Sequence, residues 1–193
     1  MRYLLPRRKL TLPIGLAVLM ISAVATYAAI TPVILGTGTN AKAPLVSGPA
    51  TVTFRKLTTT PGDIGAWHYH PGYVHNVVTS GAIKIEDGCG GAPTYSTGQA
   101  FETSEGRVHR AINEGTVDAV EYNIFIVEQG KTLTRFIPEN QRRCGPPSKV
   151  EECEKEGWSM FNFPTTFGNP GECIKYVRQR QQVSLPVPLD PLQ

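Results

Sequence analysis

Apolar and polar positions alternate through the middle of the chain with the two-residue period of β-strands. Ala50–Leu57 (ATVTFRKL) reads as a first strand. Asn76–Ser80 and Ala82–Glu86 flank Ser80-Gly81, which marks a hairpin turn. Gly98–Thr103, Arg107–Asn113 and Asp118–Glu128 continue the meander, with Asn113-Glu114-Gly115-Thr116 as the turn between the last two. Leu133–Ile137 offers one more strand. Nothing in this region has the 3.6-residue period of an amphipathic helix, so its class is all-β, with antiparallel connections.

The pattern changes at both ends. Leu10–Ile30 is almost continuously apolar and follows Arg2, Arg7, Arg8 and Lys9. A basic start before an apolar run is an export signal, and Thr26-Tyr27-Ala28 is an acceptable cleavage site. The run is also long enough to span a bilayer uncleaved. The expected location is therefore extracytoplasmic: secreted, periplasmic, or anchored by residues 1–30. Residues 31–49, rich in Thr, Gly, Pro and Ala, read as a linker in which Val33–Leu35 can add an edge strand. Residues 50–138 then form the β domain and residues 139–180 a cysteine-containing tail. In that tail Ser148–Glu156 reads as a short helix, with Ser148 as N-cap and Glu151 completing a capping box, and Gly171–Arg180 as a second. The proline-rich residues 181–193 are expected to be disordered.

Charge narrows the partners. Lys and Arg number 19 and Asp and Glu 16, a net +3. Four of the basic residues lie in the leader, so the rest of the chain is close to neutral and slightly acidic. No basic patch argues for nucleic acid, and contact with a membrane is expected only through the N-terminal segment.

All 4 histidines fall between Gly62 and Asn113. His68 and His70 are two residues apart and share a face in an extended strand. Pro71-Gly72 is a turn signal, after which a strand beginning near Val74 would carry His75 back beside the pair. A further strand would bring His109. Three or four imidazoles converging on one point suit a divalent transition metal: Fe, Mn, Zn, Ni or Cu. The alternative is a set of surface or hydrogen-bonded core histidines, which this spacing disfavours.

The same residues resemble the cupin family. Its first motif is Gly, five residues, His-x-His, three or four residues, Glu, six residues, Gly. Gly62, His68, His70 and Gly81 follow it, with His75 standing where the glutamate is expected and Gly81 one place early. Its second motif is Gly, five residues, Pro-x-Gly, two residues, His, three residues, Asn. Gly98, Gly106, His109 and Asn113 follow it, with Ser104 in place of the proline. The resemblance covers about residues 51–130. It implies a small antiparallel β-barrel (a double-stranded β-helix) with His68, His70 and His109 on a central metal, and it does not imply one reaction. His75 is expected to join them. With three histidines the site resembles the three-His iron sites of some cupin dioxygenases; a four-His tetrahedral site would be closed and structural.

Neighbouring residues are candidates for ligand contact. Arg107 shares the face of His109 and could pair a substrate carboxylate, or else form a rim salt bridge to Glu102 or Glu105. Tyr73 follows the turn and could line the mouth. Asn113 is assigned a structural part, and Trp67 and Tyr69 are assigned to packing. In the tail, Cys153, Gly157-Trp158, Phe161, Asn169, Gly171, Cys173 and Val177 resemble a short pattern of unassigned role in exported bacterial proteins.

The 4 cysteines of an exported chain are expected to pair. Three pairings exist. Cys153–Cys173 is favoured because it closes a short loop that cannot bury a core of its own, which leaves Cys89 with Cys144. No C-x-x-C spacing supports a thiolate metal site.

Three functions fit. The first is a metal-dependent dioxygenase acting on a small molecule that chelates through oxygen. The second is a non-catalytic module holding a sugar or an organic acid. In the third, the barrel is a scaffold and the tail meets a cell-envelope partner. A homodimer is compatible with each. Export disfavours ferrous iron, which oxidises readily outside the cytoplasm, and so makes Mn, Cu or Zn a serious competitor.

Overall fold

Strand parity explains the barrel. In the computed structural model, residues 30–184 are described, apart from 44, 47, 104, 105 and 142. Ten strands run through them: β1 (Thr31–Asn40), β2 (Ala50–Thr59), β3 (His68–Tyr69), β4 (Gly72–Ser80), β5 (Ala82–Asp87), β6 (Thr94–Ser96), β7 (Ala100–Thr103), β8 (His109–Ile112), β9 (Ala119–Glu128) and β10 (Arg135–Phe136). They form two antiparallel five-stranded sheets, ordered β1-β2-β9-β4-β7 and β10-β3-β8-β5-β6. In β9, Ala119, Glu121, Asn123, Phe125 and Val127 are buried and alternate with more exposed residues. In β4, Gly72, Val74, Asn76 and Val78 do the same. The sheets meet face to face as a cupin-type β-barrel. One end is closed by Val78, Phe101 and Ala119 of the first sheet packed on Ile83 and Ala111 of the second.

The local chemistry places the turns. Gly81, between β4 and β5, has φ +66°, a left-handed conformation that glycine adopts without steric cost. Asn113 has the structural part expected of it. Its amide donates to the carbonyls of Thr59 at 2.7 Å and Val117 at 2.9 Å, and its Oδ1 accepts from Gly115 N. Trp67 packs between the guanidinium groups of Arg110 and Arg143, 4.5 and 4.6 Å from its ring.

The segment expected to be a linker is a correction. The whole of β1, not Val33–Leu35 alone, runs along β2, with Leu35 left without a partner at a register shift between Ile34 and Gly36. Every residue of β1 is exposed, so no buried face imprints an alternation on its sequence. The short β6 was not expected; it pairs with β5 from Ala82 to Lys84.

Residues after β10 form the tail. Cys153 pairs with Cys173, and Cys89 with Cys144. The expected Ser148–Glu156 helix is reduced to a 3-10 turn at Val150–Cys153, followed by another at Gly157–Met160. Glu152, not Glu151, is the carboxylate that accepts from Ser148 N, at 2.7 Å. Helix α1 (Pro170–Ser184) starts one residue earlier than expected and runs on to Ser184, reaching into the first residues of the end expected to be disordered. Asn169 Oδ1 accepts from Glu172 N at 3.0 Å and the Glu172 carboxylate accepts from Gly168 N at 2.8 Å, which satisfies amides that have no partner inside the helix. Cys153, Phe161, Cys173 and Val177 form a small buried core, with Trp158 packed against it. The tail pattern thus describes a miniature fold with a capped helix. Among the described residues no helix is long and apolar enough to cross a membrane; the leader and the end beyond Ser184 lie outside them.

Candidate metal centre

The second sheet brings three histidines together. His68 pairs directly with His109 across β3 and β8. His70, two residues on, points the same way. Their ring centroids lie 4.5 Å apart for His68–His109, 4.9 Å for His68–His70 and 5.1 Å for His70–His109. One ligating atom from each lies within 4.8 Å of the others.

The backbone sets which nitrogen faces inward. Nδ1 of His68 sits 2.8 Å from Ala66 O, Nδ1 of His70 2.8 Å from Leu133 O, and Nδ1 of His109 2.9 Å from Arg107 O. A carbonyl only accepts, so each Nδ1 carries the proton and donates. Each Nε2 is therefore left with a free lone pair, the tautomer that metal-binding histidines adopt when their other nitrogen is tied to a carbonyl. Burial lowers the pKa of all three: His68 below 6.5, His70 well below it, and His109 to about 3. The other histidines of the cluster push His70 and His109 further down. The rings are neutral at physiological pH and able to coordinate. Three neutral imidazoles with fixed outer partners fit a divalent transition metal.

Residues 56–130 match the family described as cupin domain. These residues are a cupin domain. Solved structures similar to it include a Klebsiella pneumoniae protein with a double-stranded β-helix domain (18% identity, TM-score 0.45, 58% of this chain and 92% of that one). A Bordetella pertussis cupin domain is another (20% identity, TM-score 0.40, 51% and 94%). A third is a predicted oxalate decarboxylase from Thermotoga maritima (18% identity, TM-score 0.36, 53% and 96%). No curated protein matches.

His75 lies outside the three-histidine cluster. Val74, Asn76 and Val78 take the inward parity of β4, so His75 points to the outer face. There its Nδ1 lies 3.1 Å from Glu102 Oε1, with the two side chains 44% and 65% exposed. The even-numbered parity of His70 continues through Gly72 into Val74, Asn76 and Val78, which leaves odd-numbered His75 on the other face. Tyr73 has the same outward parity and does not line the barrel. Arg107 is also corrected. Its guanidinium donates to Asp87 at 3.0 Å, to Glu152 at 3.2 Å and to Pro146 O at 3.0 Å, fastening the tail to β5. Of the two acidic partners expected for it, Glu102 is taken by His75, and Glu105 lies outside the described residues.

The facing sheet supplies polar groups that the sequence reading missed. Arg55, on the inward parity of β2, donates from Nε to Asn123 Oδ1 at 2.9 Å. Its guanidinium lies 4.5 Å over the Phe125 ring, and Phe125 meets the His70 ring edge-on at 5.1 Å. Asn123 in turn donates to Asn76 at 2.8 Å. Glu121 is 3% exposed, and its Oε1 is buried without a hydrogen-bond partner. Burial pushes its pKa up from 4.5 to about 7, with the positive charge of Arg55 opposing the rise.

That shift has a measurable consequence. Because the folded value exceeds the unfolded one, the contribution of Glu121 to stability is complete below about pH 4.5 and lost as pH rises through about 7. The loss is about 3 kcal/mol. Glu121→Gln removes it, so denaturant unfolding of this variant relative to the wild type should show a growing stability advantage between pH 5 and 8. Equal pH dependence in the two proteins would show that Glu121 is not held in an unfavourable charged state.

Proposed function

We propose that the protein is an exported metal-dependent cupin enzyme of the dioxygenase type, acting on a small molecule that chelates through oxygen atoms. The observation that supports this is the three-Nε2 cluster with no fourth protein ligand among the described residues. Three ligands leave coordination positions for exchangeable groups, whereas a closed structural site takes four. When bound, a divalent metal there supplies Lewis acidity and open positions for oxygen donors. The chain holds the imidazoles in one tautomer through the Ala66, Leu133 and Arg107 carbonyls. It also sets Arg55 and Glu121 on the sheet opposite. A carboxylate with a pKa near 7 can hold or release a proton at neutral pH. Export is supported by the basic-apolar leader and by the two disulfides, which suit an oxidising compartment.

Oxygen consumption by the Fe²⁺-, Mn²⁺- and Cu²⁺-loaded protein tests this with a panel of catechols, 1,3-diketones and 2-oxo acids. Uptake stoichiometric with loss of one class is expected. Tight binding of the panel with no oxygen uptake for any metal would favour a non-catalytic ligand-binding module instead.

A further inference from the structure

Arg55 stands out once the barrel interior is read for charge. Its Nε is satisfied by Asn123, but no carboxylate lies within ion-pairing distance of it among the described residues. The other arginines that reach into the structure are engaged: Arg107 by Asp87 and Glu152, Arg110 by Glu86, Arg143 by Glu139. A guanidinium drawn out of water without an ion pair is costly unless something else supplies the negative charge. Glu121 is the one acidic group whose field reaches Arg55 among the described residues, and it makes no ion pair with it. The three histidines opposite are neutral, and Asp87, the acidic group whose field reaches His109, is held by Arg107.

The position of Arg55 is equally specific. Phe125 meets both groups, with the guanidinium 4.5 Å from its ring centroid and the His70 ring edge-on at 5.1 Å. The sum of those distances caps the gap between guanidinium and imidazole, and the charge of Arg55 reaches His68 and His70. Three neutral imidazoles around a divalent metal leave its charge uncompensated as well. Arg55 and a metal on the three histidines thus call for the same partner, an anion.

We propose that the site takes a small carboxylate-bearing ligand, whose carboxylate pairs with the Arg55 guanidinium while its oxygen atoms face the three-histidine cluster. The proposal rests on the metal-centre reading above and adds the chemical class of the ligand. The planar guanidinium suits two parallel hydrogen bonds to one carboxylate. Asn123, held by Asn76, fixes the Nε edge and so leaves the two terminal nitrogens to face the ligand. Glu121, nearer the closed end, is without a hydrogen bond to Arg55 and does not occupy that edge. Arg55 is here a binding residue, with no bond made or broken by it.

The test uses the full exported protein loaded with Co²⁺, whose visible absorption reports a change of metal ligands without turnover. Glycolate, pyruvate and malonate are titrated against their neutral amides. At least one carboxylate should bind about 30-fold or more tightly than its amide. Arg55→Met should erase that preference while keeping Co²⁺ bound, and Arg55→Lys should restore part of it. Equal binding of carboxylates and amides to the wild type would overturn the proposal, as would an unchanged preference in Arg55→Met. If Arg55→Met does not fold, the wild-type comparison and Arg55→Lys still decide. A wild-type protein that binds no Co²⁺ overturns the metal reading and this proposal together. Binding of Co²⁺ without carboxylate preference overturns this proposal alone.

Discussion

His109→Ala loses its metal, and His75→Ala keeps it. Removing the partner that orients a ligand typically costs roughly 10–100-fold in metal affinity, and removing the ligand itself should cost more. His109 is the most exacting of the three to replace, because it is 5% exposed and pairs directly with His68. A cavity in its place has no neighbouring donor to substitute. His75, by contrast, reaches only Glu102 on the outer face. Its loss removes an exposed pair worth at most about 1 kcal/mol and should leave metal content and affinity within error of the wild type. Competition titration against a chelator of known affinity measures both variants. Equal losses in the two would return His75 to the coordination sphere.

Opening the Cys89–Cys144 bridge is expected to cost about 4 kcal/mol, the chain-entropy estimate for a loop of its length. For a chain of this size that corresponds to a fall in melting temperature of roughly 10 °C. Cys153–Cys173 closes a separation of 20 residues rather than 55 and should cost less, about 3 kcal/mol. The longer bridge also bears on the metal centre. Cys89 N donates to Asp87 Oδ1 at 2.9 Å, Asp87 pairs with Arg107, and the Arg107 carbonyl holds Nδ1 of His109. Thermal unfolding of the Cys89→Ala/Cys144→Ala and Cys153→Ala/Cys173→Ala variants compares the two. A larger loss for the shorter loop would show that native packing of the tail, not constraint of the unfolded chain, sets the effect.

The three-histidine cluster was legible because strand geometry translates directly into spacing. His68 and His70 had to share a face, and the second motif brought His109 to the same place. His75 was misplaced because the Pro71-Gly72 turn was expected to bring it round to the pair, whereas the even-numbered inward parity runs unbroken from His70 to Val78 and leaves His75 outside. Arg55 and Glu121 were missed for a different reason. β9 alternates clearly, but its outer residues Val120, Tyr122, Ile124 and Ile126 are more apolar than inner Glu121 and Asn123. Alternation identifies two faces; it assigns the inner one only when the apolar face is the buried one. Here the inner face of β9 carries Glu121 and Asn123, so the more apolar face is the outer one. The same logic explains β1, whose ten exposed residues carry no face to read. The tail was read well in its disulfides, which the structure contains, and less well in its helices. Short 3-10 turns held by a bridge and a few buried residues need little intrinsic helix propensity.

X-ray absorption at the metal edge, on the exported protein purified without a histidine tag, tests the central claim most directly. The expected spectrum is that of one stoichiometric transition metal with three imidazole scatterers, completed by light ligands that change when a chelating oxygen donor is added. Four imidazoles with no response to the donor, or a protein isolated and reconstituted without stoichiometric metal, would contradict it.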